Sequence, residues 1–144
     1  MIEDDTVKLL RECDAGARMG IDSIEDVLPY TEDGRLRGML TECRDEHQKL
    51  KAEIGHQLAD CHDDGKAPGA VAKSMSWMKT NVMLALHESD ATIADLMTDG
   101  CNMGVKSLHR YLNQYKAADG ACRDVARRLI ESEAQLAVDL RPFL

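Results

Sequence analysis

Three ionisable side chains occupy positions where a helical core would normally place apolar ones: Asp14, His47 and Glu133. Each interrupts a run of apolar residues that recurs at steps of three and four, which is the period of the buried face of a helix. Carboxylates and imidazoles that converge inside a helical bundle are the ligands of di-iron centres. The same groups can also satisfy one another as a hydrogen-bonded network without any metal. The spacing therefore predicts a polar site in the core and leaves two interpretations of it.

The residues around these positions do not complete a di-iron motif. A full site uses Glu on two helices and Glu-x-x-His on two others. Arg44 stands three residues before His47, where Glu is needed, and Leu136 stands three after Glu133, where His is needed. No second histidine occupies a core stripe. We therefore favour a structural network in which Glu133 or Asp14 bonds to His47, and a reduced metal site made by the same three residues is the alternative.

Sulfur-containing side chains are the second candidate for chemistry. Soft Cys and Met ligands select Cu(I), but both residue types are also ordinary core residues. We expect packing and predict no cofactor, with iron, manganese or copper as the alternative and Cys101 as a further candidate metal ligand. The cysteines all lie on or beside apolar stripes and are Cys13, Cys43, Cys61, Cys101 and Cys122.

The sequence gives little support to an enzyme, a nucleic-acid-binding protein or a membrane protein. No nucleophile–base pair, glycine-rich phosphate loop or hydrolase motif is readable, which argues against an enzyme. The formal charge of −8 disfavours nucleic acid and anionic membranes as partners. No apolar run approaches the roughly 20 residues of a membrane span. The N-terminal residues lack the basic and apolar regions of a signal peptide and the cysteines form no CxxC pair, so we expect a cytoplasmic protein.

Helices must position these side chains, since the composition is that of an all-α protein. Aromatic residues make up only 3% of the 144 residues, and β-branched runs are absent. A chain of this length is typical of one domain, here residues 1–144. Apolar stripes predict helices over residues 4–28, 35–62, 70–87, 90–115 with Asp90 as the N-cap, and a last helix that Asp119 caps and Pro142 ends.

Two predicted interruptions between helices determine the topology of the bundle. The sequence DDGKAPG at 63–69 separates the second helix from the third, and Ser89 lies where the third helix should stop. One continuous helix over 70–116 would be roughly 70 Å long and would overhang its partners. We therefore predict a break near Ser89 and a ferritin-like bundle with a short crossover helix. A continuous bent helix would instead give a plain up-down bundle.

Two glycines interrupt the helix that starts after Asp90. Gly100 and Gly104 each cost roughly 1 kcal/mol relative to Ala in a helix interior. Close approach of another helix would offset that cost. We expect such a contact at these glycines, with the neighbouring space filled by Met97, Cys101 and Met103.

A resemblance rests on four segments: DAGARMGIDSIEDVL, LTECRDEHQKL, SMSWMKTNVMLAL and IADLMTDGCNMGVKSLHRYLNQY. This pattern resembles small proteins of anaerobic Firmicutes, which are similar to a ferritin-like bacterial family of unknown function. In that family a His-x-x-Trp-type helix precedes a Glu-x-Gly-Glu helix. The resemblance implies a ferritin-like four-helix bundle. Here the second motif reads Thr98-Asp99-Gly100-Cys101, so both of its carboxylates are replaced, which argues further against metal-dependent chemistry.

A ferritin-like bundle without a complete di-iron site leads to an expectation about function. We expect a non-catalytic interaction, scaffold or stress-associated protein that forms a homo-oligomer or binds a protein partner. The competing hypothesis is a metal-handling or redox protein that uses Asp14, His47 and Glu133, or soft Cys and Met ligands.

Overall fold

The structure is a computed structural model that describes residues 2–61 and 89–144, and helices make up nearly all of these two ranges. Four α-helices follow in order: α1 at Ile2–Val27, α2 at Gly34–Asp60, α3 at Asp90–Gln114 and α4 at Gly120–Asp139. Short 3-10 turns follow α1 and α4, at Leu28–Tyr30 and Arg141–Phe143. The prediction of an all-α protein is confirmed over these ranges, where no helix is both long and apolar enough to cross a bilayer.

The turn between α3 and α4 is tied to the start of α1. The backbone N–H of Ala117 donates to Asp5 Oδ2 at 3.0 Å, and that of Asp119 donates to Thr6 Oγ1 at 2.9 Å. Asp119 also caps α4, because its side chain accepts the N–H of Cys122 at 2.8 Å. The predicted cap of the last helix is thus confirmed, and it lies at the end of the bundle where α1 begins.

The start of α3 lies at the opposite end. Asp90 is not the N-cap that we predicted. Ser89 holds that position with extended backbone, φ −157° and ψ 171°, and Asp90 is the first helical residue. The Asp90 carboxylate instead accepts the backbone N–H groups of Glu32 at 2.9 Å and Asp33 at 2.8 Å. This prediction is wrong because the side chain binds the α1–α2 turn instead of its own helix, whereas the predicted break near Ser89 is confirmed.

These two sets of contacts determine the helix directions. α1 and α4 run towards the end that holds Asp90, and α2 and α3 run away from it. Cys61 and Ser89 therefore lie at opposite ends of the bundle. The crossover helix that we predict over residues 70–87 lies outside the described residues.

Helix ends differ slightly from the predicted ones. α1 stops at Val27 because Pro29 disfavours α-helical backbone before it, and a 3-10 turn follows. Asp33 caps α2 by accepting the N–H of Arg35 at 2.8 Å, so this helix begins one residue earlier than expected. α4 ends at Asp139, and Pro142 lies in the 3-10 turn beyond it.

The apolar stripes form the core as their period predicts. Every stripe residue from Leu10 to Ile24 on α1, from Leu36 to Ile54 on α2 and from Cys122 to Leu140 on α4 is buried. The buried apolar side chains separate into two clusters along the bundle axis. One is built around Leu9, Leu50, Leu108 and Leu129, and the other around Ile24, Leu40, Met97 and Leu136. His47 and Glu133 lie between these clusters along α2 and α4, so the bundle has a polar layer at mid-height.

Candidate functional site

His47 and Glu133 meet in this polar layer. His47 Nε2 lies 3.9 Å from Glu133 Oε1, and the two side chains are 1% and 10% exposed. The other ring nitrogen, Nδ1, lies 2.9 Å from the carbonyl oxygen of Cys43. Because a carbonyl oxygen only accepts, Nδ1 carries a hydrogen and donates it there. Nε2 is therefore the ring atom that exchanges a proton or a charge with Glu133.

Two glycines make room for this pair. An ideal Cβ on Gly20 would stand 2.8 Å from Cδ2 of the His47 ring, and one on Gly104 would stand 2.6 Å from both carboxylate oxygens of Glu133. No real Cβ tolerates such contacts, so each helix backbone approaches a polar side chain directly. Each helix contributes one residue to the layer, and each polar side chain packs on the glycine of its hairpin partner, α1 with α2 and α3 with α4.

At Gly104 the Glu133 carboxylate of α4 lies directly against the α3 backbone. The three residues expected to fill the space around this glycine differ in burial. Met97 and Cys101 are each only 4% exposed, as expected. Met103 is 42% exposed, so the expectation that it fills the contact is wrong. It precedes Gly104 by one residue, and a step of about 100° around the helix turns it towards solvent. Gly100 is half-buried.

Cys43 brings a thiol against the imidazole. Its Sγ lies 3.6 Å from His47 Nδ1 and 3.7 Å from Ser132 Oγ on α4. Because Nδ1 donates its hydrogen to the Cys43 carbonyl oxygen, it does not act as a base for the thiol, and this contact is not a nucleophile–base pair. Cys43 and His47 are four residues apart on one helix, and residues at that spacing share a face. That spacing is visible in the sequence and was the signal that could have revealed the contact.

A groove of about 490 Å³ lies between α2 and α4, above this thiol. Cys43, Ser132 and Leu136 line it together with a strongly acidic set of side chains. Among the described residues that line it, the one cation is Arg128, which donates to Glu53 and to Asp124 at 2.9 Å in each case. The acidic residues of the groove are Glu42, Glu46, Glu131 and Asp139.

Cys101 is buried beside the pair. Burial raises the pKa of its thiol, and the nearby Glu133 and Cys43 add to the rise. Thiols bind metals as thiolates, so a metal ion at Cys101 would have to displace the thiol proton. The residue is nevertheless close enough to Glu133 to be influenced by its charge.

Asp14 does not join the layer. It is 5% exposed, as its stripe predicts, but its Oδ2 accepts from Arg18 Nη2 at 2.9 Å, one turn along the same helix. Gly20 lies six residues further along α1, or about 9 Å along the helix axis. Of the four predicted metal ligands, the structure brings together His47 and Glu133, with Cys101 beside them. Within residues 2–61 and 89–144, no three His, Cys, Asp or Glu side chains are grouped as a metal site would require.

Burial and the attraction between His47 and Glu133 shift the pKa values of both side chains. Burial raises the pKa of Glu133, and His47 partly opposes that rise. For His47, burial by itself lowers the pKa, but its contacts with Cys43 and Glu133 outweigh burial and raise the pKa to about 10. Because an uncompensated buried charge is costly, the two side chains together carry one titratable proton at neutral pH. They can do so as imidazolium with carboxylate or as imidazole with carboxylic acid.

Comparisons of the chain with family models, with curated proteins and with solved structures find no match. The resemblance to a ferritin-like family therefore stays a prediction.

Proposed function

We propose that this chain is a ferritin-like helical bundle without a complete di-iron centre, and that it acts as a non-catalytic interaction, scaffold or stress-associated protein. The observation that carries the proposal is the enclosure of the polar layer. The His47 ring and the Glu133 carboxylate lie against the backbones of Gly20 and Gly104. A di-iron centre needs several further carboxylates and histidines and the space for two ions. A paired proton acceptor and donor in this enclosure suits a structural role.

The helix directions support the ferritin-like part of the proposal. α2 and α3 run in the same direction, so the chain between Cys61 and Ser89 has to connect opposite ends of the bundle. Ferritin-like folds differ from plain up-down bundles by one long crossover connection of this kind. The path of the chain through the bundle supports a ferritin-like architecture, but it carries no information on activity.

Exposed apolar side chains at one end support a role in association. Tyr30 is 51% exposed and Leu144 is 58% exposed. Tyr30 ends the 3-10 turn after α1 and Leu144 follows the 3-10 turn after α4, and both helices end at the same end of the bundle. Large exposed apolar side chains that share one region are typical of contact surfaces. A second copy of the chain or another protein would cover this end.

Two measurements test the proposal. Elemental analysis of protein purified anaerobically from its native host should find iron, manganese and copper well below stoichiometric amounts. Sedimentation equilibrium should give a mass above that of the 16.0 kDa chain, and Tyr30→Ser with Leu144→Ser should lower it. Stoichiometric metal, or a monomer that binds no protein from its host, would contradict the proposal. Glu25→Gln, an exposed change on α1, is the control for the surface variants.

A metal-handling or redox protein is the second candidate. It is favoured by one observation, the position of Cys101 and Cys43 beside the His47–Glu133 pair. Iron or manganese would use the imidazole and the carboxylate, and copper would use the sulfur atoms. In this case bound metal should fall when either His47 or Glu133 is replaced, whereas in the first proposal neither change alters the metal content.

A further inference from the structure

The groove between α2 and α4 has an apolar floor and an acidic rim. Met39 and the buried Leu136 are among the residues that line its volume of about 490 Å³. Its one described cation, Arg128, is already held in salt bridges by carboxylates outside the groove. Three exposed carboxylates of the rim have no cationic partner within residues 2–61 and 89–144, and they belong to Glu42, Glu46 and Glu131.

A face of opposite charge lies on the second half of α3. Lys106, His109 and Arg110 are exposed there, and their spacing of three and four residues places them on one side of the helix. Met103, which is 42% exposed, extends this side by one turn. Residues 100–115 contain no acidic side chain, although the formal charge of the chain is −8. We call these four residues the basic face of α3. In the part of the chain that the structure describes, none of them forms a salt bridge.

The groove and the basic face lie on different sides of the bundle. α2 and α3 each pack on both α1 and α4, so α2 and α3 stand at opposite corners of the four-helix arrangement. The groove borders α2, whereas the basic face is the solvent-exposed side of α3. The two surfaces therefore cannot meet within one chain, but they can meet between two copies.

We propose that the α2–α4 groove of one copy binds the basic face of α3 of a second copy. The inference rests on the self-association in the proposed function and names two surfaces that make it. It is a contact separate from the exposed end at Tyr30 and Leu144. Because the two surfaces lie on different sides of the chain, the contact is head-to-tail. Such contacts generate a ring where the rotation closes and an open chain of subunits where it does not.

The spacing of side chains on the two helices matches. Both sets step by three and then four residues, namely Met39, Glu42 and Glu46 on α2 and Met103, Lys106 and Arg110 on α3. These steps keep each set on one side of its helix over a length of about 10 Å. When the two helices lie side by side in the same direction, methionine meets methionine and each carboxylate meets a cation. The match favours a second copy of this chain as the occupant of the groove.

The charges give the contact its register, and the methionines give it apolar area. A single exposed ion pair contributes little, but complementary patches steer the encounter and exclude arrangements in which like charges meet. Flexible methionine side chains fit against irregular apolar surfaces. Salt screens exposed charges within about 10 Å at 0.1 M and within about 3 Å at 1 M. Self-association through this contact should therefore weaken as the salt concentration rises.

Charge reversal tests the contact in the full chain. Glu42→Lys with Glu46→Lys should raise the dissociation constant about tenfold or more, because like charges then face each other. Lys106→Glu with Arg110→Glu should do the same. An equimolar mixture of the two proteins should recover the association, since each reversed surface then meets one of opposite charge. Sedimentation equilibrium measures all three samples, and circular dichroism verifies that the variants fold. Unchanged association in the variants, no recovery in the mixture, or a wild-type chain that stays monomeric would overturn the proposal.

A matched control and the end-surface variant separate this proposal from the proposed function. Glu25→Lys with Asp60→Lys changes the net charge equally at exposed positions outside both surfaces, and it should leave association unchanged. Association that is lost in Tyr30→Ser with Leu144→Ser but unaffected by charge reversal would overturn the charged contact and leave the proposed function standing. Stoichiometric metal in the purified protein would contradict the proposed function and leave this contact standing.

Cross-linking identifies the occupant of the groove. A carbodiimide joins an amine directly to a carboxylate, and a mixture of unlabelled and isotope-labelled chains shows which links connect two copies. We expect Lys106 of one copy to be linked to Glu42 or Glu46 of another, and the yield should fall between about 0.1 M and 1 M salt. Links from these carboxylates only to Lys73 or Lys79 would show that residues 62–88 cover the groove instead, and would overturn the proposal.

Discussion

His47 Nε2 and Glu133 Oε1 face each other across 3.9 Å between two apolar clusters, and each side chain packs on the backbone of a glycine. Breaking a buried pair of this kind by removing one partner strands the other in the core, which costs about 3–5 kcal/mol. Replacing both partners with apolar residues removes that penalty. The double mutation should therefore cost less unfolding free energy than the sum of the two single mutations.

We expect His47→Leu and Glu133→Leu to destabilise the protein strongly as single changes. The double change should recover part of the loss, because neither side chain is then left unpaired. Urea unfolding of the four proteins gives the coupling free energy. Losses that simply add would contradict the pair as a unit.

Replacement of the glycines in the layer should be unfavourable. Gly104→Ala places a Cβ against the Glu133 carboxylate, and Gly20→Ala places one against the His47 ring. Each should cost about 1–3 kcal/mol of unfolding free energy, and Gly104→Leu should cost more. Thermal and urea unfolding measure the effect, and a higher melting temperature for Gly104→Leu would refute the close contact.

Matched glycines provide the control. A Cβ on Gly16 of α1 or on Gly55 of α2 meets nothing within 4 Å. Gly16→Ala and Gly55→Ala should therefore stabilise their helices by up to about 1 kcal/mol. The sign of the change thus separates glycines that allow a contact from glycines that only weaken a helix.

Stability should fall as the pH rises from about 6.5 to about 10 because of His47. Its pKa is 6.5 in the unfolded chain and is raised to about 10 in the folded one. The folded state therefore holds more protons within this window, so the contribution is complete below pH 6.5 and is lost above pH 10. Buried thiols add their own loss at high pH, so the informative quantity is the difference between two proteins.

Glu133→Gln supplies the comparison for this pH dependence. It removes a carboxylate that raises the His47 pKa, and its unfolding free energy should depend less steeply on pH between 6.5 and 10. Urea unfolding at several pH values measures both slopes. Parallel profiles for the two proteins would show that the pair does not carry the effect.

The Asp90 side chain should stabilise the contact between α3 and the α1–α2 turn. Asp90→Ala removes two hydrogen bonds to the backbone of Glu32 and Asp33, and at this half-buried position it should cost about 1 kcal/mol or more. Asp95→Ala, an exposed change on the same helix, is the control and should change stability much less. Hydrogen exchange of the Glu32 and Asp33 amides should rise in the first variant only.

Much of this arrangement could be read from the sequence, because burial in a helix follows the 3.6-residue period. The stripes place Asp14, His47 and Glu133 inside, and all three are buried. Gly104 is also identifiable, since a glycine in the middle of an apolar stripe signals close packing. The break at Ser89 follows from the length that one continuous helix would have had.

Which buried groups meet was decided only by the tertiary structure. Asp14 fits its stripe as well as Glu133 does, yet it binds Arg18 on its own helix while Glu133 faces His47. Periodicity gives the rotation of each helix about its axis, but it does not give the axial offset between helices. That offset places Gly20 level with the imidazole and opens the groove above Cys43. Both depend on contacts between residues far apart in the chain, which no local pattern records.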